Sequence, residues 1–418
     1  MDHELLYRLY GEAGVEEVRQ YQDFVDLFPP VDSRVALEYW EAAGKELEHR
    51  KRRIREQYPN GDTLADVAAR ATREQAFTAL DLASKYGRSV NVLVLDVDET
   101  LRSAASTDNE IPRETLHLLT ELHEAGMPIV ICTGQTLENV KGFAIQGLGS
   151  AMVHSGALSI VYEGGTGVFT PGHGTDTKQL LYEQLGESVQ GVFEQVRSSV
   201  LSGAPATVRR GCHLQGNEFN VTLKPNYETG SDRADKIVDT ALVYLLSLLG
   251  EAVADQLASG DAERAVSDAK SWTKAYYADA DPEIRTVLRE RDSQPEANAE
   301  DLPSAFRDVL SRIDVGYYEA DAAEITSLEL NKVEGVKAAF EVLGVADPFS
   351  LVMGDSKSDL RVMRWVYEEG RGIAAAPSHA SADVLAFVEE TDGLVFEEGN
   401  SARMLRTVYA LNRLALLA

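Results

Sequence analysis

The sequence predicts an α/β fold: a doubly wound parallel sheet, an inserted α+β domain and a helical N-terminal extension. Two observations predict it. Strand and helix signals alternate as β-α-β-α-β from residue 89 to residue 158, the pattern of a parallel sheet covered on both faces by helices. The alternation then breaks over residues 159–325 and resumes over 326–418, as it does when one domain is interrupted by another.

Residues 1–88 read as helical. Arg34–Tyr58 and Thr63–Tyr86 carry apolar residues at helical spacing, separated by the turn signal Pro59-Asn60-Gly61-Asp62. The run His49–Arg55 is the only dense basic cluster, and on a helix its charges spread around the cylinder into solvent. Val92–Leu95 is a continuous apolar run ending in acids, as a buried parallel strand is. A helix follows over Pro112–Ala125, with Pro at its start and Gly126 after its end. Next come a strand at Pro128–Cys132, a helix near Thr136–Gln146 and a strand at Ala151–His154. The insert shows short strands, Gly167–Thr170 and Glu218–Leu223, mixed with helices such as Ala234–Leu249. The core resumes with a helix at Val333–Leu343, a strand at Ser350–Met353, a helix from Asp359 and a strand at Gly372–Ala376.

With 418 residues, two or three domains are expected at about 150 residues each. A formal net charge of -28 repels nucleic-acid backbones and anionic membranes, so neither is an expected partner. Only 12 of the 40 basic residues are lysine, a balance that resembles halophilic-type proteins. The acidic N-terminus lacks the apolar centre of a secretory signal, and no uninterrupted apolar run reaches the roughly 20 residues of a membrane span. Cys132 and Cys212 are too few for a disulfide framework. A cytoplasmic location is expected, and a monomer and a homo-oligomer both fit.

Four pieces fall where sheet strands end, which is where ligands bind in open α/β folds. Asp96-Val97-Asp98 leaves the first strand with two carboxylates, one able to coordinate a hard cation and attack phosphorus while the other handles a proton. Thr133-Gly134 offers a hydroxyl and an exposed amide for phosphate oxygens. Asn331-Lys332 opens a helix, where an ammonium and the helix N-terminus both favour an anion. The segment from Gly354 to Asp359 adds the carboxylates of Asp355 and Asp359, suited to Mg²⁺.

In this order the pieces resemble the haloacid dehalogenase superfamily of phosphatases: LDVDETL (Leu95–Leu101), ICTG (Ile131–Gly134), NKVEGVKAAF (Asn331–Phe340) and MGDSKSD (Met353–Asp359). The position of the insert is similar to that of the type-two cap found in members that dephosphorylate sugar phosphates and small organophosphates. The resemblance implies a phosphoaspartate on Asp96, with Asp98 as acid and then base. It also implies that Thr133, Gly134 and Lys332 hold the phosphoryl group. Mg²⁺ would be held by Asp96, Asp98 (through its carbonyl), Asp355 and Asp359. Gln135 stands where an Arg often follows the Thr-Gly pair, and Glu99 where many members have Gly. In the insert, Arg209, Arg210 and Lys224 are candidates for reading the rest of a small phosphorylated metabolite. The expected activity is phosphomonoester hydrolysis. Sugar-phosphate mutase or phosphotransferase activity, and a non-enzymatic binding role, are the alternatives.

Overall fold

Leu93, Leu95, Ile129, Ile131 and Leu351 are fully buried in the middle of a parallel sheet, and their continuous apolar runs are what a sheet covered on both faces requires. A computed structural model describes residues 3–28, 33–103, 110–216, 219–257 and 262–417. These form two compact units: one of Met1–Tyr162, Val168–Lys178 and Val336–Ala418, the other of Glu163–Gly167 and Gln179–Gly335.

In the first unit six strands run parallel in the spatial order Leu394–Phe396, Gly372–Pro377, Ser350–Met353, Val92–Leu95, Ile129–Cys132, Leu158–Tyr162. From Val92–Leu95 the chain winds outward through Ile129–Cys132 and Leu158–Tyr162, then later returns to Ser350–Met353 and winds the other way. The order therefore reverses between Val92–Leu95 and Ser350–Met353, where such folds open a crevice at the carboxyl ends of their strands.

The expected strand at Ala151–His154 is not formed. A helix spans Leu137–Val153, kinked at Gly149, and the third strand is Leu158–Tyr162. The apolar residues Val140, Ala144, Leu148 and Met152 recur every four positions and bury one helical stripe, so the final turn belongs to the helix. Gly156, at φ 86°, then reverses the chain into a five-residue strand that is wholly buried. The expected insert boundary at 159 consequently falls inside a core strand. At the other end, Ala322–Ser327 pairs with Asn220–Pro225, which carries the second unit past the expected boundary at 325. Of the expected strand Glu218–Leu223, Glu218 lies outside the described residues, and the strand runs Asn220–Pro225.

Residues 1–88 are expected as an extension, yet they belong to the first unit. Their helices are His3–Glu12, Val15–Leu27, Arg34–Gln57, Gly61–Arg70 and Arg73–Tyr86. The last two pack on the C-terminal helix Ala402–Ala415, which also meets Arg113–Glu124. Ionic links cross these contacts. Arg406, on the C-terminal helix, donates to Asp23 (2.6 Å), Glu114 (2.7 Å) and the Arg70 carbonyl (2.7 Å). Arg70 grips Glu121 through both oxygens, with Nε at 2.7 Å from Oε2. His117 Nε2 lies 3.3 Å from Asp26 Oδ2, joining Val15–Leu27 to Arg113–Glu124. Asp26 in turn accepts from the buried Gln22 (2.7 Å).

The second unit holds an antiparallel sheet in the order Cys212–Gln215, Asn220–Pro225, Ala322–Ser327, Ile313–Tyr318. Alternate residues such as Val221, Leu223, Ala323 and Ile325 are buried, and the helix Ser231–Leu257 packs against the sheet. Arg233–Leu257 within that helix is long and apolar enough to cross a bilayer. Its Leu242, Leu245, Leu249 and Val253 are buried within the chain's own core.

Two outcomes follow from the ionic links. Arg406→Met leaves Asp23 and Glu114 without their cation, and because both acids keep some solvent contact the loss is about 2–3 kcal/mol rather than the larger value of a sealed pair. Urea unfolding of the full chain measures it. The Asp26 carboxylate 3.3 Å from its Nε2 raises the pKa of His117 above the ordinary imidazole value, against the opposing effect of burial. Its contribution to stability is therefore complete below the unfolded-state pKa of about 6.5 and is lost as pH rises through the folded value. His117→Gln should flatten that decline in a series of urea midpoints taken from about pH 6 to pH 9.

Candidate active site

The register sets the site. Leu95 pairs with Met353 on one side and with Ile131 on the other, so Asp96, Gly354-Asp355 and Cys132-Thr133 emerge from adjacent strands at nearly the same level. The Asp96 amide still donates to the Met353 carbonyl (2.9 Å), and the Thr133 amide to the Val161 carbonyl (2.9 Å), which extends the sheet to the edge of the site. Carboxylate oxygens of Asp96, Asp355 and Asp359 all lie within 4.8 Å of one another. Asp96 and Asp359 are buried at 6% and 3% exposure, so their charges are not dispersed into water.

Each carboxylate has local support. Asp359, in the first turn of the helix Lys357–Glu368, accepts from the Ser356 hydroxyl (2.6 Å) and the Ser356 amide (3.2 Å). Thr100 Oγ1 donates to Asp355 Oδ1 (3.3 Å), and the Asp355 carbonyl accepts from the Ser381 amide (2.9 Å). Gly354 makes the cluster possible: a Cβ there would sit 2.3 Å from Asp359 Cβ and 2.8 Å from its Oδ2. Thr133 is buried at 1% exposure, and its hydroxyl accepts from the Gln135 amide (3.1 Å). Gly134 lies between them at an exposed bend, leaving its amide on the rim.

Asp98 is positioned differently. Its carboxylate is half exposed and stands outside the three-carboxylate cluster. Arg102 Nε (2.9 Å) and Nη2 (2.7 Å) both donate to Oδ1, and Gln135 Nε2 donates to Oδ2 (2.6 Å). Glu99, at a left-handed φ of 57°, sends its carboxylate to within 3.4 Å of His379 Nε2. Sequence reasoning missed Arg102 and His379. The signal for Arg102 was its place four residues after an acid, the usual spacing of a local ion pair; His379 is 280 positions from Glu99 and gave no signal.

Lys332 belongs to the second unit, where it opens the helix Lys332–Leu343 and is buried at 4% exposure. Asn331 caps that helix, its Oδ1 accepting from the Val333 (2.8 Å) and Glu334 (3.3 Å) amides. Arg209, Arg210 and Lys224 are in the second unit as well. Arg209 and Arg210, expected beside a strand, stand exposed on the short helix Ala206–Gly211, which Pro205 starts. Lys224 is on a strand and pairs with Asp321 at 3.2 Å.

The donor set fits a hard divalent cation: three clustered carboxylates, with no His or Cys ligand among them. This is the cluster that the first and last motifs predict. Residues 93–165 match the model of the haloacid dehalogenase-like hydrolases. Over those residues the chain is similar to haloacid dehalogenase-like hydrolases. No curated protein matches the sequence. Among solved structures, Thermoplasma acidophilum 0175 is 12% identical, over 78% of this chain and 100% of that one, with a TM-score of 0.42. Aspergillus fumigatus trehalose-6-phosphate phosphatase is 16% identical, over 81% and 97%, with a TM-score of 0.41. The HAD subclass IIB sugar phosphatase BT4131 is 16% identical, over 75% and 96%, with a TM-score of 0.40.

Gly354→Ala should disturb this cluster without changing any of its three carboxylates. The added methyl pushes Asp359 out of the cluster, and Mg²⁺ affinity is expected to fall about 10- to 100-fold, as when supporting groups of a metal site are lost. Calorimetric titration of the full chain with Mg²⁺ checks this.

Proposed function

We propose that the chain is a Mg²⁺-dependent phosphomonoesterase acting on a sugar phosphate or similar small phosphometabolite through a phosphoaspartate at Asp96. The observation that carries this reading is the cluster of Asp96, Asp355 and Asp359 at the ends of adjacent parallel strands, with Asp98 two residues from the nucleophile. Bound Mg²⁺ would offset the negative charge of the carboxylates and of the phosphoryl oxygens. The remaining roles fall to side chains. Asp96 attacks phosphorus as the ester P–O bond breaks, and Asp98 gives its proton to the leaving oxygen. A water then attacks the acyl-phosphate and passes its proton to Asp98, releasing phosphate and restoring Asp96. In this reading Thr133 and the Gly134 amide position the phosphoryl oxygens, and Lys332 supplies a cation to them. Phosphoryl transfer needs mainly such positioning and charge neutralisation.

Recognition of the rest of the substrate is assigned to the second unit. Thr222, Lys224, Glu324 and Tyr318 share the sheet face opposite Val221, Leu223, Ala323 and Ile325. Thr222 and Tyr318 both donate to Glu324, at 3.1 and 3.0 Å. Such a face suits hydroxyl-bearing substrates, and the net charge of -28 disfavours nucleic acid.

Phosphate release from a panel of phosphometabolites tests the proposal. Asp96→Asn should lower turnover at least about 10³-fold, because an amide cannot act as the nucleophile. Exhaustive EDTA treatment should abolish activity, and added Mg²⁺ should restore it. Retention of more than a few per cent of activity by the Asn variant removes Asp96 as nucleophile. Turnover of a hexose phosphate to an isomer without phosphate release would identify a mutase instead.

A further inference from the structure

The proposed reaction makes a demand on Asp98 that the structure does not meet as it stands. A group that serves the leaving oxygen must offer that oxygen one of its own carboxyl oxygens. Here Oδ1 already takes two N–H bonds from Arg102, and Oδ2 takes one from Gln135. Arg102 is mostly buried, so its guanidinium has few positions available besides this one. It directly contacts Asp98, two residues from Asp96. A planar guanidinium binds phosphate as readily as carboxylate, with the same two-pronged geometry.

We propose that Arg102 is an anion-responsive latch: it holds Asp98 through two N–H bonds, and transfers to the phosphoryl group of an incoming substrate. This rests on the reading of Asp98 as the acid and base of the reaction. The transfer exchanges one ion pair for another, so the guanidinium loses little while Asp98 Oδ1 becomes available. Gln135 is the positioning residue that stays behind, a neutral donor that keeps Asp98 oriented after the arginine departs. It also bonds through its own amide to Thr133 Oγ1, so the same residue sets the acid/base and the phosphate-binding hydroxyl. When phosphate leaves, Arg102 closes back on Asp98.

The test uses the full chain with Mg²⁺ and two readouts. Inorganic phosphate, titrated by calorimetry, should bind at least about tenfold more weakly to Arg102→Met, and Arg102→Lys should recover most of the loss. Kinetically, Arg102→Met should raise KM for both p-nitrophenyl phosphate and β-glycerol phosphate, with kcat for each within about threefold of the parent. Unchanged phosphate affinity in the Met variant overturns the latch. So does a kcat loss at constant KM confined to β-glycerol phosphate, whose leaving group needs a proton; Arg102 would then be a fixed support of Asp98. If Arg102→Met does not fold, Arg102→Gln, which keeps a polar side chain without the charge, decides instead, since a latch predicts a raised KM and a fixed support predicts a lowered kcat. Should the parent release phosphate from neither ester, the phosphatase reading fails, while the calorimetric comparison still judges Arg102.

Discussion

Three carboxylates within 4.8 Å of one another, two of them buried, form the constraint around which the first unit is organised. Such a cluster repels itself, and a fold keeps it only where rigid elements leave no alternative and a cation balances it. The rigidity is visible in the strand pairing: Asp96 and Asp355 follow neighbouring strands whose register is set by four consecutive buried pairs. Asp359 comes from the first turn of the next helix, locked to Ser356 and admitted only because position 354 has no side chain.

That rigidity extends further than the motifs suggest. The helices of residues 1–88 are tied to the core through Arg406, Arg70 and His117, each bridging acids on another helix. In a chain with 68 acidic and 40 basic residues, arginines at such junctions have more than one carboxylate to neutralise. The same shortage of cations gives weight to Arg102, which pairs with the half-exposed Asp98.

In the proposed reaction Asp96 and Asp98 would divide the work by environment. Asp96 is buried beside the carboxylates of Asp355 and Asp359. Asp98 is half exposed, and among the described residues its carboxylate accepts from Arg102 and Gln135. Two identical side chains two residues apart thereby stand in different surroundings, one buried and one half exposed.

The sequence by itself determined the α/β class, the parallel core strands at Val92–Leu95, Ile129–Cys132 and Ser350–Met353, and the gathering of Asp96 with Asp355 and Asp359. These rest on local information: apolar runs of strand length, turn residues, and acids placed directly after the runs. Tertiary structure alone decided the third strand, because Ala151–His154 has the composition of a strand but continues a buried helical stripe whose partner surface lies elsewhere in the chain. It likewise decided where the second unit begins and ends, through the long-range pairing of Asn220–Pro225 with Ala322–Ser327. The partners of Asp98 needed both: Arg102 is a local i+4 neighbour, whereas Gln135 reaches it only because the first two strands are adjacent. Charge pairs between residues hundreds of positions apart, such as Asp23 with Arg406, leave no periodic trace in a sequence, because what joins them is packing.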